Sequence, residues 1–94
     1  MPFLLIRHKV KDYKSWKPAF DEHGKARKAA GSKGGRLFRR VGDPNEIVAL
    51  FEWDSLDRAK TFTQSEDTLA VMKRAGVADT PDIYFLDEIG PTPV

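Results

Sequence analysis

Cysteine is absent from the 94 residues, which removes disulfides, thiolate nucleophiles and zinc–thiolate sites from consideration. An excess of either charge is lacking too. Sixteen Lys and Arg stand against fourteen Asp and Glu, a net +2 that is too small and too well mixed to mark a nucleic-acid surface. No apolar run reaches membrane length and no signal peptide is recognisable, so the expectation is a soluble cytoplasmic protein without membrane or nucleic-acid partners. Length is the remaining shortage. A chain of this size makes one domain, 1–94, with an ordered core over 1–89 and a Pro-containing tail over 90–94. It buries only about 60–65% of the surface that its unfolded form exposes, so the thin core would gain from a partner subunit.

The most directional pattern is Phe3 to Ala30, FLLIRHKVKDYKSWKPAFDEHGKARKAA, which holds both histidines. Phe3–Val10 reads as a strand ended by Lys11-Asp12. Side chains alternate along a strand, so Leu4, Ile6, His8 and Val10 share the more apolar side. Asp12 can cap the next turn, and Pro18 suits the first turn of a longer helix. Trp16, Ala19, Phe20, His23, Ala26, Arg27 and Ala30 then fall on one helix face, until Gly31 ends it. Lys17, Asp21, Glu22, Lys25 and Lys28 fall on the solvated side. If this helix packs on this strand, His8 and His23 look into one layer.

Ser32–Gly35 reads as a loop and Arg36–Val41 as a weaker strand. Gly42-Asp43-Pro44-Asn45 is dense in turn residues and joins it to the strong strand Glu46–Trp53, making an antiparallel hairpin. Ile47, Ala49, Phe51 and Trp53 point one way and Val48, Leu50 and Glu52 the other, which predicts cover on both faces. Asp54 or Ser55 starts a second helix with Leu56, Ala59, Phe62 and Thr63 on its face. Ser65 caps a further segment, Glu66–Ala75, with Leu69 and Met72 as buried contacts and Gly76 as its stop. Asp82–Ile89 is the fourth strand. The order is that of an α+β, ferredoxin-like βαββαβ fold: a four-stranded antiparallel sheet, helices on one face, first and third strands central. The other sheet face would then expose a large apolar patch, and a second copy packed sheet against sheet is the expected cover.

A histidine near its intrinsic pKa can serve as acid or base, so His8 and His23 are the catalytic candidates. Trp16 and Phe20, with Tyr84 from the last strand, would wall a small pocket for an apolar or aromatic ligand. Trp53 and Phe62 read most simply as core, with Phe62 also a candidate ligand contact. The duller alternative makes both histidines hydrogen-bonded residues at a pocket edge. No metal is expected, because no HxH or HExxH spacing occurs and Asp21 and Glu22 lie off the stripe of His23. Arg36, Arg39 and Arg40, with Lys33, form a basic cluster that would bind an anionic group or act as a solvated strand edge. Arg39, between Leu37 and Val41, is a candidate ligand contact whose preferred reading is an inward ion pair with Glu52 or Glu88.

The whole 3–89 arrangement, with LLIRHKVKDYKSWKPAFDEH, VALFEWDSLDRAKTF and PDIYFLDEI, resembles the dimeric α+β barrel superfamily. That group includes the antibiotic-biosynthesis monooxygenases and cyclase-like bacterial proteins. The resemblance implies a homodimeric two-sheet barrel with a small pocket between each sheet and its helices. Its members range over cofactor-free oxygenation of aromatic polyketides, haem chemistry, muconolactone isomerisation and plain ligand binding, so no catalytic residue is carried over. Two readings follow. One is a cofactor-independent monooxygenase-like or cyclase/isomerase-like enzyme acting on a small cyclic or aromatic substrate by histidine proton abstraction. The other is a non-catalytic ligand-binding or stress-related barrel.

Overall fold

A computed structural model describes residues 2–94; Met1 lies outside the described residues. The apolar alternation at the start of the chain forms β1 (Pro2–Lys9), in which Leu4, Ile6 and His8 are buried. Val10 follows the strand as a buried bridge to Val77. Asp12 caps α1 (Tyr13–Glu22), its carboxylate accepting from the Lys14 amide and from the Ser15 hydroxyl. Pro18 lies inside this helix rather than in its first turn, because α1 begins at Tyr13.

The long single helix expected through Ala30 is instead two. His23 ends α1 and Gly24 opens α2 (Gly24–Ala30). Glycine is a poor helix former, and here the path changes at that residue. Gly31 ends α2 at φ 124°, donating its amide to Arg27 and Lys28. A side chain there would also collide with the Asp54 carboxylate.

The predicted loop Ser32–Gly35 is already strand. β2 runs over Ser32–Arg40 and β3 over Asp43–Trp53, joined by Val41-Gly42. Only glycine is accommodated at position 35, because a Cβ would meet the Leu50 carbonyl of the neighbouring strand. Arg39 pairs with Ile47 but Arg40 with Asp43, which leaves Pro44, Asn45 and Glu46 without partners on β2. That irregularity explains how Pro44 sits in a strand and frees Asn45 for another task. Its carbonyl accepts from the Val10 amide at 2.8 Å, and its Oδ1 from the Tyr13 amide at 3.0 Å. The bulge thereby fixes where α1 starts, and so where Trp16 and Phe20 point.

Ser55 and Ser65 each accept an amide hydrogen bond three residues on, capping α3 (Leu56–Gln64) and α4 (Glu66–Arg74). Met72 packs against the core, but Leu69 is exposed and Thr68 is the buried residue of α4; the apolar face of this helix is narrower than its sequence suggests. β4 (Asp82–Asp87) completes an antiparallel sheet of order β2-β3-β1-β4. It is two residues shorter than predicted, and Ile89 is fully exposed.

The fold is the expected ferredoxin-like α+β arrangement, with β1 and β3 central. Leu4, Ile6, Ala49, Phe51, Trp53, Ala59 and Phe62 form one core cluster; Val10, Trp16, Ile47 and Ala75 form another, and Phe20 and Leu37 pack against both. On the opposite face the register aligns Leu5 with Leu50 and Tyr84, Phe3 with Leu86, and Val48 with Phe38. Phe38, Tyr84 and Leu86 are 49%, 55% and 39% exposed. None of the described helices is long and apolar enough to cross a membrane.

Candidate functional site

The helix-covered face of the sheet encloses a cavity of about 50 Å³ whose wall includes His8, Trp16, Phe20, His23, Arg27 and Phe62. Five of these six, all but Arg27, are the site candidates named above, brought together from β1, α1 with its C-cap, and α3. As shaped here the cavity is far smaller than the roughly 300–1,000 Å³ of ordinary ligand pockets, and it has room for a few waters.

A row of rings leads through it. The His8 imidazole meets the edge of Trp16 at 5.6 Å between centroids; Trp16 stacks on Phe20 at 4.8 Å, and Phe20 on Phe51 at 6.0 Å. His8 is 5% exposed, and its Nδ1 has no hydrogen-bond partner. Burial pushes its pKa below the usual 6.5; the field of Asp79 opposes that shift and the field of Arg7 adds to it. The consequence is a neutral imidazole at neutral pH with a ring nitrogen uncommitted.

His23 is placed differently. It is the C-cap of α1, stacks on Phe62 at 5.7 Å, and its Nε2 lies 2.9 Å from Asp67 Oδ2 at the start of α4. A carboxylate only accepts, so Nε2–H donates. His23 thus ties α4 to α1 across the cavity, while its ring lines the inside.

Two candidate contacts lie elsewhere. Tyr84 pairs with Leu5 on the opposite sheet face, because strand alternation sends it away from Ile83, whose neighbour is Ile6. Arg39 sits over the Tyr13 ring at 4.8 Å and lies outside the cavity wall. Its expected ion pair with Glu52 or Glu88 does not form: Arg39 aligns with Ile47 on the helix side, whereas Glu52 is on the other side.

Two wall residues were not singled out by the sequence. Thr68 is buried, its hydroxyl oxygen accepting from Ser65 at 2.8 Å. Arg27 lies over Phe20 at 3.7 Å; the signal for it was a cation on an otherwise apolar helix stripe. Among the described residues, no group of three His, Asp or Glu side chains is arranged to hold a metal ion.

With helices over one face of a β2-β3-β1-β4 sheet and a cavity between the layers, the chain shares its ferredoxin-like α+β fold with several solved structures. No protein-family model matches the sequence, and no curated protein matches it significantly. Solved structures do. A Bordetella bronchiseptica protein, named provisionally for the antibiotic biosynthesis monooxygenases, has a TM-score of 0.77 at 17% identity, covering 94% of this chain and 96% of that one. SnoaB, described as a cofactor-independent oxygenase from Streptomyces nogalater, scores 0.77 at 15% identity over 99% and 97%. A further antibiotic biosynthesis monooxygenase scores 0.72 at 17% identity over 96% and 100%. Identities this low establish a shared backbone and leave the chemistry to be argued from the site.

Proposed function

We propose that the protein is a cofactor-independent, monooxygenase-like enzyme acting on a small aromatic or cyclic substrate, with His8 as the general base. The observation that carries this reading is the buried, unpartnered Nδ1 of a depressed-pKa imidazole set among aromatic rings. A satisfied structural histidine has no reason to leave that nitrogen bare. The description of SnoaB as a cofactor-independent oxygenase supports the same choice.

In the proposed reaction, His8 takes a proton from an activated aromatic CH2, leaving an electron-rich anion that reacts with oxygen directly. One oxygen atom stays on the carbon as C=O and the other leaves as water, with all four electrons supplied by the substrate. Trp16, Phe20 and Phe62 hold the ring and exclude water, and His23, tied to Asp67, closes the wall beside Phe62. Admission of a ring requires movement of the cavity wall, either the Phe20–Arg27 pair or α4. A second copy packed on Phe38, Tyr84 and Leu86 completes the assembly and holds the sheet rigid beneath the site.

The test is oxygen uptake with anthrone as probe. Wild type is expected to consume one oxygen per anthraquinone formed, above the uncatalysed rate, with His8→Ala lowering the enzymatic rate by about 10²-fold or more. Anthrone bound without oxygen uptake would favour the second reading, a non-catalytic ligand-binding barrel; the small closed cavity is the observation on that side. An isomerase or cyclase would use the same base without consuming oxygen.

A further inference from the structure

A cation in the cavity wall has no counter-charge. Arg27 is half-buried, with its guanidinium 3.7 Å from the centre of the Phe20 ring and 5.6 Å from that of Phe51. One of its donors, Nη1–H, reaches the Phe20 carbonyl at 2.8 Å. Among the described residues, carboxylates pair with Arg7, Lys9, Lys17, His23, Arg40 and Arg58, but none with Arg27. Burial lowers its pKa, with Asp21 acting only through its field. A guanidinium partly removed from water and left without an anion is unfavourable unless something else supplies the charge.

What lies on its far side suggests the supplier. An open groove of about 700 Å³ runs between α2 and β2, with Phe20, Leu37 and Phe51 as its apolar floor. Lys28 and Lys33 join Arg27 along it; its one carboxylate, Asp54, pairs with Arg58 through Oδ2 and keeps a buried Oδ1 without a partner. Phe20, Arg27 and Phe51 line both this groove and the His8 cavity, so the partition between them is made of side chains.

We propose that the α2–β2 groove is an anion site and that the ligand of the cavity is an aromatic acid, its carboxylate held by Arg27 and its ring on Phe20 and Phe51. Planar guanidinium matches carboxylate in a two-point contact, and drawing Arg27 outward onto the acid would lift it off Phe20 and open the way to His8. Lys28 and Lys33 add longer-range attraction. The inference rests on the cavity reading for the ring and adds the charge of the substrate class.

Calorimetric titration with 1-naphthol and 1-hydroxy-2-naphthoate separates the two ideas. The naphthoate is expected to bind wild type about tenfold or more tightly than the naphthol, with an affinity that weakens as salt is added. Arg27→Gln should erase that preference by weakening the naphthoate more than the naphthol. The Lys28→Gln/Lys33→Gln pair, on exposed residues whose loss leaves the fold intact, should reduce the preference by about two- to threefold and flatten its salt dependence; this arm decides if Arg27→Gln does not fold. Equal affinities for the two probes overturn the anion site and leave the cavity reading standing. Naphthoate binding sensitive to these variants, without naphthol binding, keeps the anion site and removes the cavity as the ring's seat. Failure of both probes to bind overturns both.

Discussion

Arg7 and Arg27 carry the same guanidinium on opposite faces of one small sheet-and-helix sandwich, and their surroundings differ in kind. Arg7, on the open sheet face, donates to Asp82 at 2.7 Å and to Asp79 at 3.0 Å. Asp79 in turn accepts from the Lys9 amide, and that hydrogen bond, with the Arg7 contact, holds its pKa below the usual carboxylate range. Arg27, under the helices, has one carbonyl and two aromatic faces. The contrast repeats between neighbours on β1: Arg7 is satisfied, while His8 is buried with a bare nitrogen. On the open face Arg7 is matched within the chain and serves structure. Under the helices His8 and Arg27 are left incomplete, as expected where a ligand finishes the hydrogen bonding.

The comparison breaks if truncations on the two faces act alike. The largest effect is expected under the helices: Leu4→Ala, at a fully buried position, should cost about 2–5 kcal/mol, read by urea unfolding and independent of protein concentration. On the open face, Leu50→Asp should leave the chain folded but weaken self-association by about 100-fold or more, read by static light scattering across a dilution series. A wild type that stays monomeric at high concentration would contradict the paired assembly.

A titration sharpens the difference further. Below pH 6.5 the unfolded imidazole of His8 accepts a proton that the folded one refuses, because its folded pKa is depressed. The unfolded state therefore binds more protons in that window. Stability should fall as pH drops from about 6.5 towards the folded value, by up to about 1.4 kcal/mol per pH unit. His8→Phe should flatten that slope and abolish the proposed oxygenation, since it removes a buried unpartnered nitrogen while keeping a ring against Trp16. The smallest change is expected at the exposed end of the His23 clasp. Asp67→Asn should lower stability by about 0.2–1 kcal/mol, checked by thermal unfolding.

Much of the layer structure was legible because two periods were strong. The alternation of Leu4, Ile6 and His8 against Phe3, Leu5 and Arg7, and the stripe from Trp16 to Ala30, place both histidines in one layer. Three features were not legible, each for a physical reason. The break at His23-Gly24 interrupts a stripe whose period continues across it. The position of the turn depended on a register irregularity that lets Pro44 remain in a strand, and no local signal marks which side of Gly42 the pairing resumes. Tyr84 was misplaced because a strand apolar on both sides, as in DIYFLD, does not declare its inward face; only its pairing with Leu5 does. Arg27 was visible as a cation on the stripe, but its lack of a carboxylate is a three-dimensional fact.

The claim on which the functional account stands is that His8 is a buried, neutral base in the cavity. A ¹⁵N NMR titration of its imidazole measures this directly. The account predicts a midpoint below 6.5, with the ring neutral throughout the physiological range; a midpoint at or above the ordinary value would contradict it.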